Sequence, residues 1–322
     1  MKLIKVKKHD HSIICVRNND QCFVCSNLLS LHDYKQELSG DDAIVFLLRN
    51  KQLHAAIDKE LTSGTLIPVT FEQNEVLLPF TMKSLRDFML FEQHVIDATR
   101  GFVRHFMPGK FRITSFLEKL TGKPLKSFRP KPLWYKYPIY YMGNHLNVVG
   151  NNASIEFPPY CTALDYELEL AAVLAEPLLN ATPQQAEAAI GGFVVLNDIS
   201  ARNMQAAEMQ SGFGPVKTKN FINAISPIVV SADEILSRIK QLNAYVKIND
   251  KVVSTCTSET MNYTIGEAIA YASWGEQLYP GEVFGTGTFP GGSGMETNNW
   301  LQHGDKLELH IEEVGSLVSY IK

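Results

Sequence analysis

The stretch "DYELEL", residues 165–170, sets Asp165, Glu167 and Glu169 at alternate positions and runs directly into the apolar "AAVLA". In a β-strand, side chains two apart point to the same face. The three carboxylates therefore share one side, and Tyr166, Leu168 and Leu170 share the other. A buried carboxylate without a partner is strongly destabilising, so the acidic face meets either water or something positive. The runs "AAVLA" and "GGFVVLND" (residues 191–198) read as the centre of a sheet rather than its rim, which favours the positive partner. Hard divalent cations take oxygen ligands, and two carboxylates two apart on a strand can converge on one. On that reading Glu167 and Glu169 are ligands, and Asp165, at the strand entrance, serves a turn.

The chain has 322 residues, 45 % hydrophobic and 20 % charged, which is enough apolar material for two domains or one large one. Its net charge is −4. The nearest approach to a basic block, "KLIKVKK" at residues 2–8, alternates like a strand with a solvated lysine face. Nucleic acid is therefore not an expected partner. No apolar run reaches the roughly 20 residues of a membrane span, and the opening "MKLIKVKKHD" lacks the apolar centre of a secretory signal. The five cysteines are an odd number in a large chain and do not suggest a disulfide framework. "CFVC" (residues 22–25) has no second pair to complete a zinc site. These features place the protein in a reducing cytoplasm, away from membranes.

Strand signals dominate the chain. Short β-rich segments open it, a helical pattern follows over residues 42–61, and "VLLPF" (residues 76–80) marks a boundary. We expect a small N-terminal unit, 1–78, and a larger one, 79–322. Residues 84–107 read as helical from the late 80s onward, and the basic, proline-bearing 122–138 as a surface excursion and candidate lid. Thr182 and Pro183 open a helix, and "INDKVV" (residues 248–253) marks an antiparallel hairpin.

A second acid supports the metal reading. Asp198 ends the apolar strand "GFVVLN" and precedes a helix expected from Ser200, with the Ser200 hydroxyl as its cap. Arg202 and Gln205, three apart, share a face of that helix. The Gly-rich "GTGTFPGGSG" (residues 285–294) lacks the G-K-[ST] ending and following helix of a nucleotide loop.

The blocks "DYELELAAVLA", "IGGFVVLNDISARNMQ" (residues 190–205) and "GFGPVKTKNF" (residues 212–221) resemble the core of the fumarylacetoacetate hydrolase family, D-Y-E-x-E-L, N-D-x-S-A-R-D-x-Q and G-P-x-x-G-K-x-F. "RDFMLFEQH" (residues 86–94) resembles the family's D-F-x-x-x-x-x-H segment, "GTGTFPGGSGME" (residues 285–296) its G-T-x-x-G-x-G-x-E loop, and residues 301–317 its closing strand pair. The blocks occur in the family order from about residue 78 to the end, while the first ~75 residues match only in position.

The resemblance implies a strand-dominated α+β protein: a mixed β-roll catalytic domain with a small N-terminal α/β domain. It implies metal ligands Asp87, Glu167, Glu169 and Asp198, which answers the question raised by the acidic strand. The metal is most simply Mg²⁺, with Mn²⁺ or Ca²⁺ as alternatives. It further implies His94 as base, Glu296 as its orienting acid, Arg202, Gln205 and Lys219 as stabilising groups, and Thr288 as a substrate-carboxylate contact. A homodimer is expected on the same ground. The implied activity is metal-dependent hydrolysis of a carbon–carbon bond in a β-diketo or acylpyruvate-like acid. Isomerisation, decarboxylation or hydration of related 2-oxo or 2-hydroxydienoic acids is the alternative, and a non-catalytic metal-binding homologue a more distant one. Five positions depart from the family pattern: Ile199 for a frequent tryptophan, Asn203 for aspartate, Thr218 for the glycine before Lys219, Ser226 near "SP", and Asp97 where some branches carry a glutamate. The Asn203 change is expected to remove a charge that helps hold Arg202, and Thr218 to narrow the pocket or shift the lysine.

Overall fold

The computed structural model describes residues 1–8, 11–63 and 66–322. The chain opens with an antiparallel meander, β1 (Lys2–Lys8), β2 (His11–Asn18) and β3 (Gln21–Val24), followed by α1 (Ala43–Arg49) and α2 (His54–Thr62). The helix expected over 42–61 is thus broken. Asn50 leaves helical geometry and its amide donates to the Phe46 carbonyl at 2.8 Å, a local side-chain bond that competes with helix continuation.

Next come β4 (Ser84–Phe88), α3 (Glu92–Phe106), α4 (Pro108–Thr121) and β5 (Tyr140–Gly143). Short strands β6 (Val148–Val149), β7 (Ala153–Ile155) and β8 (Leu164–Asp165) lead to the long strand β9 (Leu168–Leu174), then α5 (Pro183–Ala188) and β10 (Ile190–Asn197). The chain continues through β11 (Ser200–Ala201), α6 (Arg202–Ser211), α7 (Val216–Lys219), β12 (Asn223–Ile225), β13 (Ile228–Ser231) and α8 (Ala232–Ile235). It ends with the hairpin β14 (Asn243–Ile248) and β15 (Lys251–Thr257), α9 (Ile265–Ala272), β16 (Glu282–Gly285), α10 (Gly294–Thr297), and the hairpin β17 (Lys306–Ile311) and β18 (Gly315–Ile321).

Eleven strands form one open mixed sheet ordered β3-β2-β1-β13-β10-β9-β16-β4-β5, with β12 and β6 branching from β10; a second sheet runs β15-β14-β17-β18-β7. At the centre, β9 and β10 are buried along their whole length, as befits strands covered on both faces. The alternation in β9 sorts its side chains between two cores. Leu168, Leu170, Ala172 and Leu174 face the core shared with the second sheet and α9. Ala171 and Val173 face the other, with Leu47 and Leu48 of α1. The N-terminal unit is therefore continuous with the rest: β1 pairs with β13, Lys2 opposite Val230, and its helices cover one face of the central strands.

Strand direction then defines one special end of the sheet. β9 is antiparallel to both β10 and β16, and β4 is parallel to β16. The start of β9 consequently lies beside the ends of β10, β16 and β4. Because Leu48 is fully buried in the core shared by both units, Leu48→Ala is expected to cost about 2–5 kcal/mol. Denaturant unfolding should show this as a single shifted transition; a separate early transition confined to the first unit would contradict a shared core.

Candidate active site

At that end of the sheet the face that carries Ala171 and Val173 becomes acidic. Glu169 leads β9, Asp87 lies on β4 and Asp198 follows β10. Their carboxylate oxygens lie within 4.8 Å of one another, and all three side chains are buried. Glu169 accepts hydrogen bonds from the Gly287 amide at 3.0 Å and the Thr288 hydroxyl at 3.4 Å. Asp198 accepts from the Tyr141 hydroxyl at 2.7 Å and from the Lys219 ammonium. Asp87 Oδ1 is buried without a hydrogen-bond partner. Burial, and then the charge of Asp198, holds Asp87 well above the usual carboxylate range. Burial, and then Asp87 and Asp198, does the same to Glu169. Three buried carboxylates with an orphaned oxygen and an all-oxygen donor set fit a hard divalent cation.

Glu167 lies in the same cavity but is turned toward cations. It accepts from Arg202 Nη2 at 2.5 Å and from Lys219, and His94 Nε2 stands 3.6 Å from its Oε1. Burial works to raise its pKa; Arg202, Lys219 and His94 outweigh it and hold the carboxyl well below its usual range. Asp165, assigned a turn from sequence, has a larger task. It accepts from Arg202 Nε at 2.8 Å, and from the backbone amides of Tyr166 (2.9 Å), Gly294 (2.8 Å) and Met295 (3.1 Å). Asp165 thus ties the guanidinium of α6 to the start of α10.

Ser293 caps α10 in a reciprocal capping box with Glu296. The Glu296 carboxylate accepts from the amides of Gly291 and Ser293 and from the Ser293 hydroxyl. So clamped, it places Oε2 3.1 Å from His94 Nδ1. Gly101 lets α3 come this close, because a Cβ there would run into the Met295 carbonyl. Burial works to lower the His94 pKa, but Glu296 and Glu167 outweigh it and raise the imidazole to about 10.

Nine of the ten residues singled out from the sequence, Asp87, His94, Glu167, Glu169, Asp198, Arg202, Gln205, Lys219 and Thr288, line one cavity of about 420 Å³; Glu296 stands behind His94. Arg202 also donates from Nη1 to the Gln205 carbonyl at 3.0 Å.

The sequence matches the family model for fumarylacetoacetate (FAA) hydrolase C-terminal over residues 119–322, most of the chain. The chain belongs to this family. It is 28% identical over 187 residues to the human mitochondrial oxaloacetate tautomerase FAHD2A, spanning 58% of this chain and 59% of that protein. Among solved structures it resembles the fumarylacetoacetate hydrolase of psychrophilic Exiguobacterium antarcticum, with a TM-score of 0.72 at 18% identity, covering 100% of this chain and 99% of that one. It also resembles the fumarylpyruvate hydrolase of Pseudomonas aeruginosa in complex with Mn²⁺ and pyruvate, with a TM-score of 0.57 at 16% identity over 79% of this chain and 94% of that one. At these identities the two structures bear on the fold alone.

Two departures from the family pattern take on physical meaning. Asn203 does not touch Arg202: its side chain accepts from the Thr162 amide at 3.0 Å and donates to the Tyr160 carbonyl at 2.9 Å. Arg202 is held by Asp165, Glu167 and Gln205 instead. Thr218 is fully buried and donates to Glu208 at 2.8 Å, while that carboxylate also accepts the amides of Lys217 and Thr218. Glu208 of α6 so pins the short helix that carries Lys219. Ser200 is not the helix cap; its hydroxyl donates to the Asp198 carbonyl at 3.0 Å, and α6 begins two residues later. The 122–138 excursion contributes nothing to the cavity wall. It folds inward through Trp134, whose indole donates to the Met89 carbonyl at 2.5 Å.

Two residues at the site escaped sequence reasoning. Tyr141 stands directly across the β4–β5 pair from Asp87, a register that alternation alone does not reveal. Gly285 on β16 stands opposite Asp87, and a Cβ there would collide with Asp87 Oδ1 and crowd Glu169 Oε2 at 2.9 Å. Gly285→Ala should therefore weaken Mn²⁺ binding by about 10–100-fold, the range seen when groups just outside a ligand shell are altered, with the melting temperature little changed; calorimetric titration measures it. Because Asp87 and Glu169 hold protons unusually well, a cation must displace them. Metal affinity should fall as pH falls, and the same titration across pH should show proton release on binding.

Proposed function

We propose that the protein is a divalent-metal-dependent hydrolase cleaving a carbon–carbon bond in a β-diketo or acylpyruvate-like acid. The observation that carries this reading is the His94–Glu296 pair beside the acid triad of the same cavity. Asp87, Glu169 and Asp198, with Glu167 adjacent, would hold the ion. A divalent cation there supplies Lewis-acid polarisation of the substrate's chelating oxygens. Mg²⁺ is the simplest occupant, and Mn²⁺, present with pyruvate in the similar fumarylpyruvate hydrolase structure, has the same ligand preference.

The remaining steps rest on this chain's own groups. Glu296, its carboxylate fixed by three hydrogen bonds, holds Nδ1 and leaves Nε2 to take a proton from water; the carboxylate then stabilises the imidazolium. The water oxygen attacks the distal carbonyl, and Arg202, Lys219 and the amide of Gln205 face the oxyanion that forms. Bond cleavage releases a carboxylic acid and an enolate, which takes back the proton from His94.

A second reading follows from the same histidine. Glu296 and Glu167, which raise its pKa to about 10, favour the imidazolium of His94; that form can deliver a proton to an enol carbon, a tautomerisation, and the human relative is named an oxaloacetate tautomerase. The two readings have opposite pH signatures. Hydrolysis needs the neutral imidazole, so kcat/KM should climb with pH toward an inflection near 10, and Glu296→Gln should move that inflection toward the ordinary 6.5. Tautomerisation by the imidazolium should instead decline through the same inflection.

The deciding assay follows loss of acylpyruvate enol absorbance with Mg²⁺ or Mn²⁺ and identifies the products. Pyruvate plus a carboxylic acid supports the hydrolase. Ketonisation without cleavage supports the tautomerase and overturns the hydrolase. In either case His94→Ala is expected to lower kcat by about 10²–10⁴-fold.

A further inference from the structure

The cavity is chemically two-sided. Its floor carries every charged group that lines it: the carboxylates, Arg202, Lys219 and His94. Its apolar lining, the wall, comes from four places: Val95, Ala98 and Phe102 of α3, Met209 of α6, Met295 of α10, and Ile139 just before β5. The α3 members recur at the spacing of a single helical face. Among the described residues, no arginine or lysine other than Arg202 and Lys219 lines the cavity. Both are already engaged, Arg202 with Asp165 and Glu167, Lys219 with Glu167 and Asp198. The cations near the wall are occupied elsewhere: Arg100 pairs with Asp97 and Glu118, and Arg104 donates to the Met295 and Glu296 carbonyls. The polar groups on the wall are neutral. The Thr99 hydroxyl donates to the Val95 carbonyl at 2.7 Å, and the Gln205 carbonyl accepts from Arg202.

A 2-oxo acid can place its one carboxylate at the floor beside Thr288. A second carboxylate at the far end of the same molecule would lie among apolar side chains with no free counter-charge; beside the buried Ala98 and Met295 and the half-buried Phe102 it would lose hydration, which is disfavoured for an unpaired charge, while Met209 is 51 % exposed. We propose that the substrate is a monocarboxylic 2-oxo acid whose far end is an apolar, aliphatic or aryl, group, and that Phe102 and Met209 on the facing helices determine that preference. This deepens the function proposed above and rests on it for the location of the substrate's head.

Binding tests it without turnover. Titration calorimetry of the Mn²⁺-loaded full-length protein compares two unreactive acids of equal chain length, 2-oxooctanoate and 2-oxooctanedioate. The monoacid should bind at least about 30-fold tighter, in line with the discrimination that an unpaired polar group imposes at a site. Phe102→Arg and Met209→Arg each place a cation on the wall and should narrow the ratio by about tenfold or more, through tighter diacid binding, with unchanged melting temperature. Equal or tighter binding of the diacid by the unaltered protein overturns the inference, as does binding of neither acid. Turnover of acylpyruvates, assayed separately, keeps the two proposals apart. A retained monoacid preference without turnover removes the hydrolase reading and leaves the apolar tail, whereas turnover with equal affinities does the reverse.

Discussion

The constraint on which the rest depends is the electrostatics of the buried acids that meet at one end of the central sheet. Asp87, Asp165, Glu167, Glu169 and Asp198 are all at most 4 % exposed. Such a cluster pulls apart unless positive charge enters it. The chain supplies part of that charge itself and divides the carboxylates accordingly. Glu167 and Asp165 are satisfied by Arg202, with Lys219 bridging Glu167 and Asp198. Burial raises the proton affinity of Asp165 and Asp198 as well as of Asp87 and Glu169, but among the described residues Asp87 and Glu169 have no ion pair, which leaves that pair receptive to a doubly charged ion. The same charges explain why α6 and α7 sit where they do, since each presents one buried cation to the acids.

Much of this was legible in the sequence because strand periodicity is strict. Alternation in "DYELEL" correctly separated Asp165, Glu167 and Glu169 from Tyr166, Leu168 and Leu170, and the latter three are fully buried in the opposite core. The motif blocks brought Asp87, His94, Asp198, Arg202, Lys219 and Thr288 to one cavity from four segments of chain. What alternation does not carry is partner choice. Glu167 and Glu169 share a face and a spacing, yet one is turned to cations and the other to the acid triad, because the residues that distinguish them arrive from α6, α7 and β4. The same limit hid Tyr141 and Gly285, whose importance lies in which strand is hydrogen-bonded beside them. Asp165 was underestimated for a related reason: its partners, Arg202 and the α10 amides, lie 37 to 130 positions away.

Asp165 also makes the two sides of the site mechanically one. Its carboxylate grips the guanidinium that neutralises Glu167 and the amides that begin the helix carrying Glu296. A shift of α6 is therefore felt at α10, whose Glu296 stands 3.1 Å from His94. The charge that balances the buried acids and the placement of Glu296 beside His94 share one anchor.

The face of β9 that begins acidic and ends in Ala171 and Val173 has a consequence for register. A slip of one residue would exchange the faces and is strongly resisted. A slip of two would keep the faces yet carry Glu167 and Glu169 about 7 Å along the sheet, out of reach of Asp87 and Asp198. The flat alternation of the strand does not forbid that slip, but the packing at its far end does, where Ala171, Val173 and Ala175 share a core with Leu47 and Leu48 of the N-terminal helix. That helix, far from the cavity, acts as a ruler for the strand, and the spacing of the carboxylates is set by how well small and large side chains interlock at its other end.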